Sequence, residues 1–157
     1  MAIEIGVESP HTISIVVPVY RGEATLDSLI NEIRPLTEGV RTPQGAPMLV
    51  AEVVLVHDNG PDASHEVIRR LAKETSFIRP VWLSRNFGQH AATIAGMSST
   101  GSEWIVTLDE DGQFDPDDIG KLLDVALVER AQLVYGTSTN PPPHGAFRNL
   151  CSAAVKR

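Results

Sequence analysis

Residues 104–113 have the sequence Trp-Ile-Val-Thr-Leu-Asp-Glu-Asp-Gly-Gln, an apolar run that ends in three consecutive carboxylates. The apolar part, residues 104–108, is short and rich in strand-forming residues, which predicts a buried strand. Carboxylates crowded at the end of a strand repel one another, and Mg²⁺ or Mn²⁺ removes that cost. Asp109 and Asp111 are two apart and point the same way on an extended segment, so both are candidate metal ligands. Gln113 is a candidate third oxygen donor.

The same acidic segment has a second interpretation, a solvated loop that starts the next helix. Asp115 is a favourable N-cap, and Pro116 suits the first helical position. Asp117 and Asp118 suit the positive end of the helix dipole. Because a lone Asp-x-Asp pair is common, it does not by itself distinguish a metal site from a helix start.

Strand-like and helix-like segments alternate along the chain. Runs of β-branched and apolar residues predict strands at residues 12–20, 49–56, 81–83, 104–108 and 132–135. Apolar residues at helical spacing predict helices over residues 23–36, around 67–71, over 89–99, over 115–127 and over 147–157. Residues 40–47 and 137–145, rich in proline, are predicted surface loops. This order predicts an α/β fold with a mostly parallel, doubly wound, Rossmann-like sheet and helices on both faces.

Polar turns follow several of the predicted strands. In open α/β sheets, ligands bind beyond the carboxyl ends of the strands, where the strand order reverses. Tyr20, Arg21 and residues 57–62, 84–88 and 109–113 all come directly after predicted strands. The sequence therefore predicts one rim that gathers a tyrosine, an arginine and several carboxylates.

Several residues on this rim have both a binding and a structural interpretation. Asp58 either accepts a hydrogen bond from a base or ribose, or bonds the backbone of its own turn. Arg85 either holds a diphosphate or forms a surface ion pair of little energetic value. Gly88 opens a helix whose N-terminus favours anions. His57 and His65 lack the further ligands of a zinc site, so we interpret them as structural or surface residues.

The motifs of several other enzyme families are missing from the sequence. It contains no Gly-x-Gly-x-x-Gly after the first strand, no P-loop and no Gly-x-Ser-x-Gly elbow. A nucleotidyltransferase would more often carry a glycine-rich, basic loop after its first strand, and residues 20–23 match that pattern poorly.

The composition is that of a soluble globular domain. The chain has 157 residues, 42% of them hydrophobic and 21% charged, which suffices for one domain with a core. A formal net charge of -7 argues against nucleic acid as the partner. The first ten residues lack a signal-peptide pattern, and the apolar run at 13–20 is shorter than the ~20 residues of a membrane helix. The single cysteine, Cys151, fits a reducing compartment, so we expect a cytoplasmic protein.

Five segments together resemble family 2 glycosyltransferases, and in particular the branch that glycosylates polyprenyl phosphates, such as dolichol-phosphate mannosyltransferases. Their order and spacing make the set far more specific than any one segment. The segments are Ser14-Ile-Val-Val-Pro-Val-Tyr-Arg-Gly-Glu23, Val56-His-Asp-Asn-Gly-Pro-Asp62, Leu83-Ser-Arg-Asn-Phe-Gly-Gln-His-Ala-Ala92, Leu108-Asp-Glu-Asp-Gly-Gln113 and Val134-Tyr-Gly136.

The resemblance implies a GT-A fold and inverting transfer of a sugar from a nucleotide-sugar donor, with Mg²⁺ or Mn²⁺, to a polyprenyl phosphate or a glycan. The donor is expected to be a UDP-, GDP- or dTDP-sugar. The residues assigned to the nucleotide are Pro18, Tyr20, Glu23, Asp58, Arg85 and Asp109. The residues assigned to the metal are Asp109, Asp111 and Gln113.

The sequence departs from the family pattern at several positions. Arg21 replaces the common Asn, His57 replaces the first Asp of the second motif, and Glu110 replaces a usually small residue, which adds charge beside the metal. The basic residue that often follows residue 136 is missing, and Arg148 is its candidate substitute.

The length is the largest departure from the family. Members continue through an acceptor-binding half, and this branch usually adds membrane helices. We therefore expect residues 1–157 to be a single, truncated donor-binding domain with little turnover of its own. A general base, where the acceptor needs one, would lie outside this chain. Membrane association, at the cytoplasmic face, would come only through segments absent here. The alternative function is a non-catalytic nucleotide-binding or scaffolding domain of the same fold.

Overall fold

The computed structural model describes residues 8–112 and 114–136. Over these residues the chain forms one five-stranded sheet and four α-helices. A 3₁₀ segment, Arg34–Glu38, follows the first α-helix, and a second, Pro116–Asp118, precedes the last. In chain order, the elements are β1 His11–Val19, α1 Leu26–Ile33, β2 Val40–Arg41, β3 Pro47–His57, α2 Ser64–Glu74, β4 Ile78–Trp82, α3 Gln89–Met97, β5 Trp104–Thr107 and α4 Ile119–Glu129.

The sheet is parallel except for one short strand. β1 lies in the centre, parallel to β3 on one side and to β5 on the other. β4 pairs parallel with the second half of β3, and β2 pairs antiparallel with its first two residues. Since the chain moves outward from β1 through β3 to β4 and then returns to the other side of β1, the strand order reverses between β1 and β5. This is the place where open α/β sheets bind ligands.

Helices cover both faces of the central strands β1 and β3. The prediction that residues 104–108 form a buried strand is wrong in part, because Ile105 is 38% exposed and alternate residues of β5 face solvent. Alternate residues of β1, such as Ile15 and Val17, pack with α1, α2 and α4 in the larger hydrophobic cluster. The opposite face carries Val16, which packs with Val54, Val56 and Ala92 of α3. Strands covered on both faces have continuous apolar sequences, and the predicted doubly wound α/β fold is confirmed. None of the helices in residues 8–112 and 114–136 is long and apolar enough to cross a membrane.

Gly96 brings α3 close to the sheet. A Cβ atom at this position would lie 2.4 Å from Cγ1 of Val16 and 2.8 Å from Cγ2 of Val56. Real Cβ atoms do not approach other atoms this closely, so only glycine permits the observed spacing. The absence of a side chain at Gly96 lets the last turn of α3 pack directly against Val16 and Val56 of the sheet.

We expect Gly96→Ala to lower the free energy of unfolding by about 2 kcal/mol, because the added methyl group overpacks the contact with Val16. Alanine favours the helix over glycine by about 1 kcal/mol. A net loss of stability in Gly96→Ala would therefore come from the steric clash. Urea denaturation measures the difference. Gly101→Ala is the matched control, since a Cβ there meets nothing within 4 Å. Equal stability of the two variants would show that α3 can move outward freely.

The predicted loop at residues 40–47 is wrong in part, because it contains β2. Val40 pairs with Met48 and Arg41 with Pro47. A tight turn closes this hairpin, in which the N–H of Gly45 donates to the carbonyl oxygen of Thr42 at 2.9 Å. The two prolines of the segment hid the hairpin from pattern analysis, since proline is usually confined to strand ends and edges.

The predicted strand at residues 132–135 is also wrong. This segment takes part in none of the strand pairings of the sheet, and the side chains of Leu133 and Tyr135 are 68% and 81% exposed. Apolar and β-branched residues form a strand only where a neighbouring strand supplies hydrogen-bond partners and cover.

The ends of two predicted elements also differ from the observed ends. The helix predicted over residues 23–36 is α-helical only over Leu26–Ile33, because Pro35 cannot continue the hydrogen-bond ladder. The third predicted strand is longer than expected and includes Pro80, which an edge strand such as β4 tolerates. Gln113, the predicted loop and helix beyond residue 136, Arg148 and Cys151 lie outside the described residues.

Candidate functional site

A pocket of about 580 Å³ opens at the carboxyl ends of β1, β3 and β5, at the reversal of strand order. Its walls include five of the residues predicted to bind ligand, namely Pro18, Tyr20, Asp58, Asp109 and Asp111. They also include three residues with no predicted role, namely Asn86, Gln89 and Glu110.

A smaller pocket of about 400 Å³ lies at the opposite end of the sheet. Glu52 and Arg79 on its wall form an ion pair of 2.7 Å with each other. It contains none of the predicted site residues, so the pocket at the carboxyl ends of the strands is the candidate site.

Asp58 joins two walls of the pocket. Its side chain is 3% exposed, and its Oδ1 and Oδ2 accept hydrogen bonds from the N–H groups of Phe87 and Gly88 at 2.7 and 2.8 Å. The N–H of Asp58 itself donates to the carbonyl oxygen of Val19 at 2.8 Å. Asp58 therefore holds the ends of β1 and β3 against the loop that leads into α3, rather than bonding its own turn.

Asp109 and Asp111 lie on the same pocket wall, after β5. Partial burial, together with the negative charge of Asp111, raises the pKa of Asp109 above its usual value. The side-chain amide of Gln89, at the start of α3, donates to Oδ1 of Asp109 at 2.6 Å and opposes that rise. The pocket therefore holds two carboxylates whose mutual repulsion the protein compensates only in part.

Glu110 connects the loop after β5 to the loop after β1. Its Oε2 accepts a hydrogen bond from the N–H of Tyr20 at 2.9 Å, and its Oε1 accepts one from the N–H of Arg21 at 2.8 Å. Burial raises the pKa of Glu110, and the two N–H donors offset part of the rise. The sequence identified Glu110 only as an extra charge, because its partners lie about 90 residues away.

Glu23 and Arg85 lie off the pocket wall. Glu23 accepts a hydrogen bond from the N–H of Ala63 at 3.1 Å, and its own N–H donates to Asp62 at 3.1 Å. The guanidinium of Arg85 lies 4.6 Å from the centre of the Phe87 ring. Glu23 thus joins the loop after β1 to the start of α2, and a nucleotide-binding role for Glu23 and Arg85 stays a prediction.

His57 and His65 form an aromatic contact rather than a metal pair. The ring of His57 is 7% exposed and packs 5.5 Å from the centre of Trp82 and 6.0 Å from the centre of His65. Burial lowers the pKa of His57. The arrangement fits the structural interpretation of both histidines.

The carboxylates of the pocket offer part of a metal site. In the part of the chain that the structure describes, no three His, Cys, Asp or Glu side chains form a preorganised metal cage. Asp109 and Asp111 nevertheless offer hard carboxylate oxygens, which suit Mg²⁺ or Mn²⁺ when phosphate oxygens and water complete the coordination. The pKa of Asp109 is raised, so a cation bound beside it would stabilise the ionised carboxylate. Gln113 lies outside the described residues.

Two curated proteins that resemble this chain in sequence carry the same name. Residues 14–154 match the family described as Glycosyl transferase family 2. The chain is 32% identical over 146 residues to the undecaprenyl-phosphate 4-deoxy-4-formamido-L-arabinose transferase of Aeromonas hydrophila, an alignment that covers 92% of this chain and 42% of that protein. The enzyme of that name from Enterobacter is 35% identical over 154 residues, covering 96% of this chain and 44% of that protein. The chain thus spans roughly two-fifths of the length of these relatives.

Solved structures of glycosyltransferases have the same fold. TarS of S. aureus superimposes with a TM-score of 0.61 at 15% identity, covering 86% of this chain and 23% of TarS. The glucosyl-3-phosphoglycerate synthase of Mycobacterium tuberculosis, solved with Mn²⁺, UDP and phosphoglyceric acid, superimposes with a TM-score of 0.56 at 25% identity, covering 74% of this chain and 39% of the synthase. The predicted GT-A type of fold is therefore confirmed. The match over residues 14–154 shows that the chain belongs to glycosyl transferase family 2.

Proposed function

We propose that this chain is the donor-binding domain of a metal-dependent glycosyltransferase, which transfers a sugar from a nucleotide-sugar to a polyprenyl phosphate with inversion. The observation that carries the proposal is the single pocket in which Tyr20 and Asp58 meet Asp109 and Asp111. The name of the undecaprenyl-phosphate transferases supports the acceptor class. The synthase solved with Mn²⁺ and UDP supports the choice of donor and metal.

The two sides of the pocket have different chemistry. Tyr20, which is 40% exposed, supplies apolar surface for a nucleoside beside the buried Pro18 on the pocket wall. Asp58 fixes the loop that faces them. Asp109 and Asp111 would hold Mg²⁺ or Mn²⁺ on the donor diphosphate, with Gln89 orienting Asp109. A bound cation would neutralise the charge of the leaving nucleoside diphosphate.

A polyprenyl phosphate acceptor is already ionised, so it needs no general base from this chain. Its phosphate oxygen attacks the anomeric carbon from the side opposite the diphosphate. The new carbon–oxygen bond forms while the bond to the nucleoside diphosphate breaks, and the diphosphate leaves with the electron pair. Because the acceptor is a lipid, we propose that the whole enzyme works at a membrane, on its cytoplasmic face.

Calorimetric titration of UDP, GDP and dTDP tests the donor site. We expect one of the three to bind with Mn²⁺, and we expect chelator to weaken its binding at least about tenfold. Asp111→Asn should weaken the Mn²⁺-dependent binding to a similar degree, since loss of a group that only orients a metal ligand already costs about ten- to a hundredfold in metal affinity. Asp117→Asn, an exposed change of the same charge outside the pocket, should bind as the wild type does.

Two results would contradict the proposal. If neither chelator nor Asp111→Asn changes the nucleotide affinity, then no metal takes part in nucleotide binding at this site. A folded wild-type chain that binds none of the three nucleotides would favour the alternative scaffolding function.

A further inference from the structure

The loop after β1 contains four consecutive N–H groups that are all bonded to side chains of other segments. The N–H groups of Tyr20 and Arg21 donate to Glu110. The N–H of Gly22 donates to Oγ of Ser64 at 2.8 Å, and that of Glu23 donates to Asp62 at 3.1 Å. The conformation of residues 20–23 is therefore set by acceptors outside the loop.

Successive backbone N–H groups that point together form an anion-binding cradle. In this chain the carboxylate of Glu110 occupies the cradle made by Tyr20 and Arg21. The fit is close, because a Cβ atom at Gly22 would lie 2.9 Å from Oε2 of Glu110. This part of the loop is thus filled by the chain's own anion and is not available to the donor diphosphate.

Glu110 stands between two metal candidates in sequence, so a third metal-ligand role is the obvious competing assignment. Each of its oxygens, however, already accepts a backbone N–H, at 2.9 and 2.8 Å. Hydrogen bonds to an ionised acceptor are about twice as strong as those between neutral groups. The geometry favours a carboxylate that fixes the Tyr20 loop over one that coordinates an ion.

We propose that Glu110 is a positioning residue that joins the loop after β5 to the loop after β1 and so holds Tyr20 on the pocket wall for the nucleotide. The proposal deepens the function proposed above and rests on it only for the identity of the ligand. It assigns to Glu110 an effect on nucleotide affinity that does not depend on metal.

The first arm of the test needs no ligand. NMR-detected amide exchange is measured on the whole chain for wild type, Glu110→Gln and the exposed control Glu129→Gln. The amide of Glu110→Gln keeps one acceptor oxygen and presents a donor where the second acceptor was. We expect exchange at Tyr20 or Arg21, or both, to become at least about tenfold faster. Gly22 and Glu23, held by Ser64 and Asp62, should remain protected. Unchanged exchange at Tyr20 and Arg21 would overturn the proposal.

The second arm separates positioning from metal binding. UDP, GDP and dTDP are titrated into wild type, Glu110→Gln and Asp111→Asn, with Mn²⁺ and with chelator. Glu110→Gln should weaken the affinity roughly tenfold in both conditions, whereas Asp111→Asn should weaken it only with Mn²⁺. A loss confined to Mn²⁺ in Glu110→Gln would assign Glu110 to the metal and overturn the proposal. If the wild type binds no nucleotide, the proposed function fails while the exchange arm still decides the role of Glu110.

Discussion

Gly60→Ala should lower the free energy of unfolding by about 3 kcal/mol and abolish measurable nucleotide binding. A Cβ atom at Gly60 would lie 1.6 Å from the carbonyl oxygen of Tyr20 and 2.6 Å from its carbonyl carbon. Both are backbone atoms, so no side-chain rotation relieves the clash, and the cost should reach the upper end of the range for overpacking. The Tyr20 loop is also tied to α2 and to Glu110, so the two loops can separate only by breaking those hydrogen bonds.

Urea denaturation and calorimetric titration with Mn²⁺ and nucleotide measure the two effects of Gly60→Ala. Gly101→Ala is again the control, because it adds the same methyl group in open space. If Gly60→Ala keeps wild-type stability and affinity, the contact between the loops after β1 and β3 does not shape the pocket.

Asp58→Asn should lower the free energy of unfolding by about 3 kcal/mol. The buried carboxylate accepts the N–H groups of Phe87 and Gly88 at 2.7 and 2.8 Å. An asparagine side chain has one acceptor oxygen, so it places an NH₂ donor against one of the two N–H groups at a position that is 3% exposed. The N–H of Gly88 has a second acceptor, Oδ1 of Asn86 at 2.9 Å, whereas no other acceptor is shown for the N–H of Phe87 within the described residues. A buried donor without a partner costs about 1–3 kcal/mol, and more when the lost partner was charged. The loop of residues 86–88 should then move away from Tyr20 and open the nucleotide side of the pocket.

Thermal and urea denaturation compare the stability of Asp58→Asn with that of Asp117→Asn. Because both changes remove one negative charge, a difference between them reports the loss of the buried carboxylate and its hydrogen bonds. Amide exchange at Phe87 and Gly88 should also become faster in Asp58→Asn. A variant as stable as Asp117→Asn, with unchanged exchange at these two amides, would show that the hydrogen bonds of Asp58 do not stabilise the fold.

The architecture could be predicted from sequence where the signal is local. The continuous apolar runs around Val16 and Val54 predict strands covered on both faces, and the spacing of Leu26, Leu29 and Ile33 predicts an amphipathic helix. The strand predicted at residues 132–135 failed because pairing depends on a distant neighbour. The β2 hairpin was missed for a local reason, since Pro43 in its turn and Pro47 at the start of β3 are typical of a loop.

The candidate site shows the same division between local and distant information. The rule that ligands bind beyond the ends of parallel strands correctly predicted that one pocket contains Tyr20, Asp58, Asp109 and Asp111. It could not show that Asp58 bonds Phe87 and Gly88, because hydrogen-bond partners 29 and 30 residues away leave no periodic trace. Gln89 and Glu110 were missed because amide and carboxylate groups identify a type of chemistry and not the partner that each will find.

The central position of β1 has a consequence for how the chain acquires its shape. Ile13 in β1 lies beside Trp104 in β5, so the middle of the sheet closes only after about ninety intervening residues have been synthesised. Contacts between residues so far apart in sequence slow folding, because a long loop must close before the pairing stabilises it. On the ribosome, β1 is exposed at one edge until β5 emerges, and the pocket is among the last parts of the domain to form.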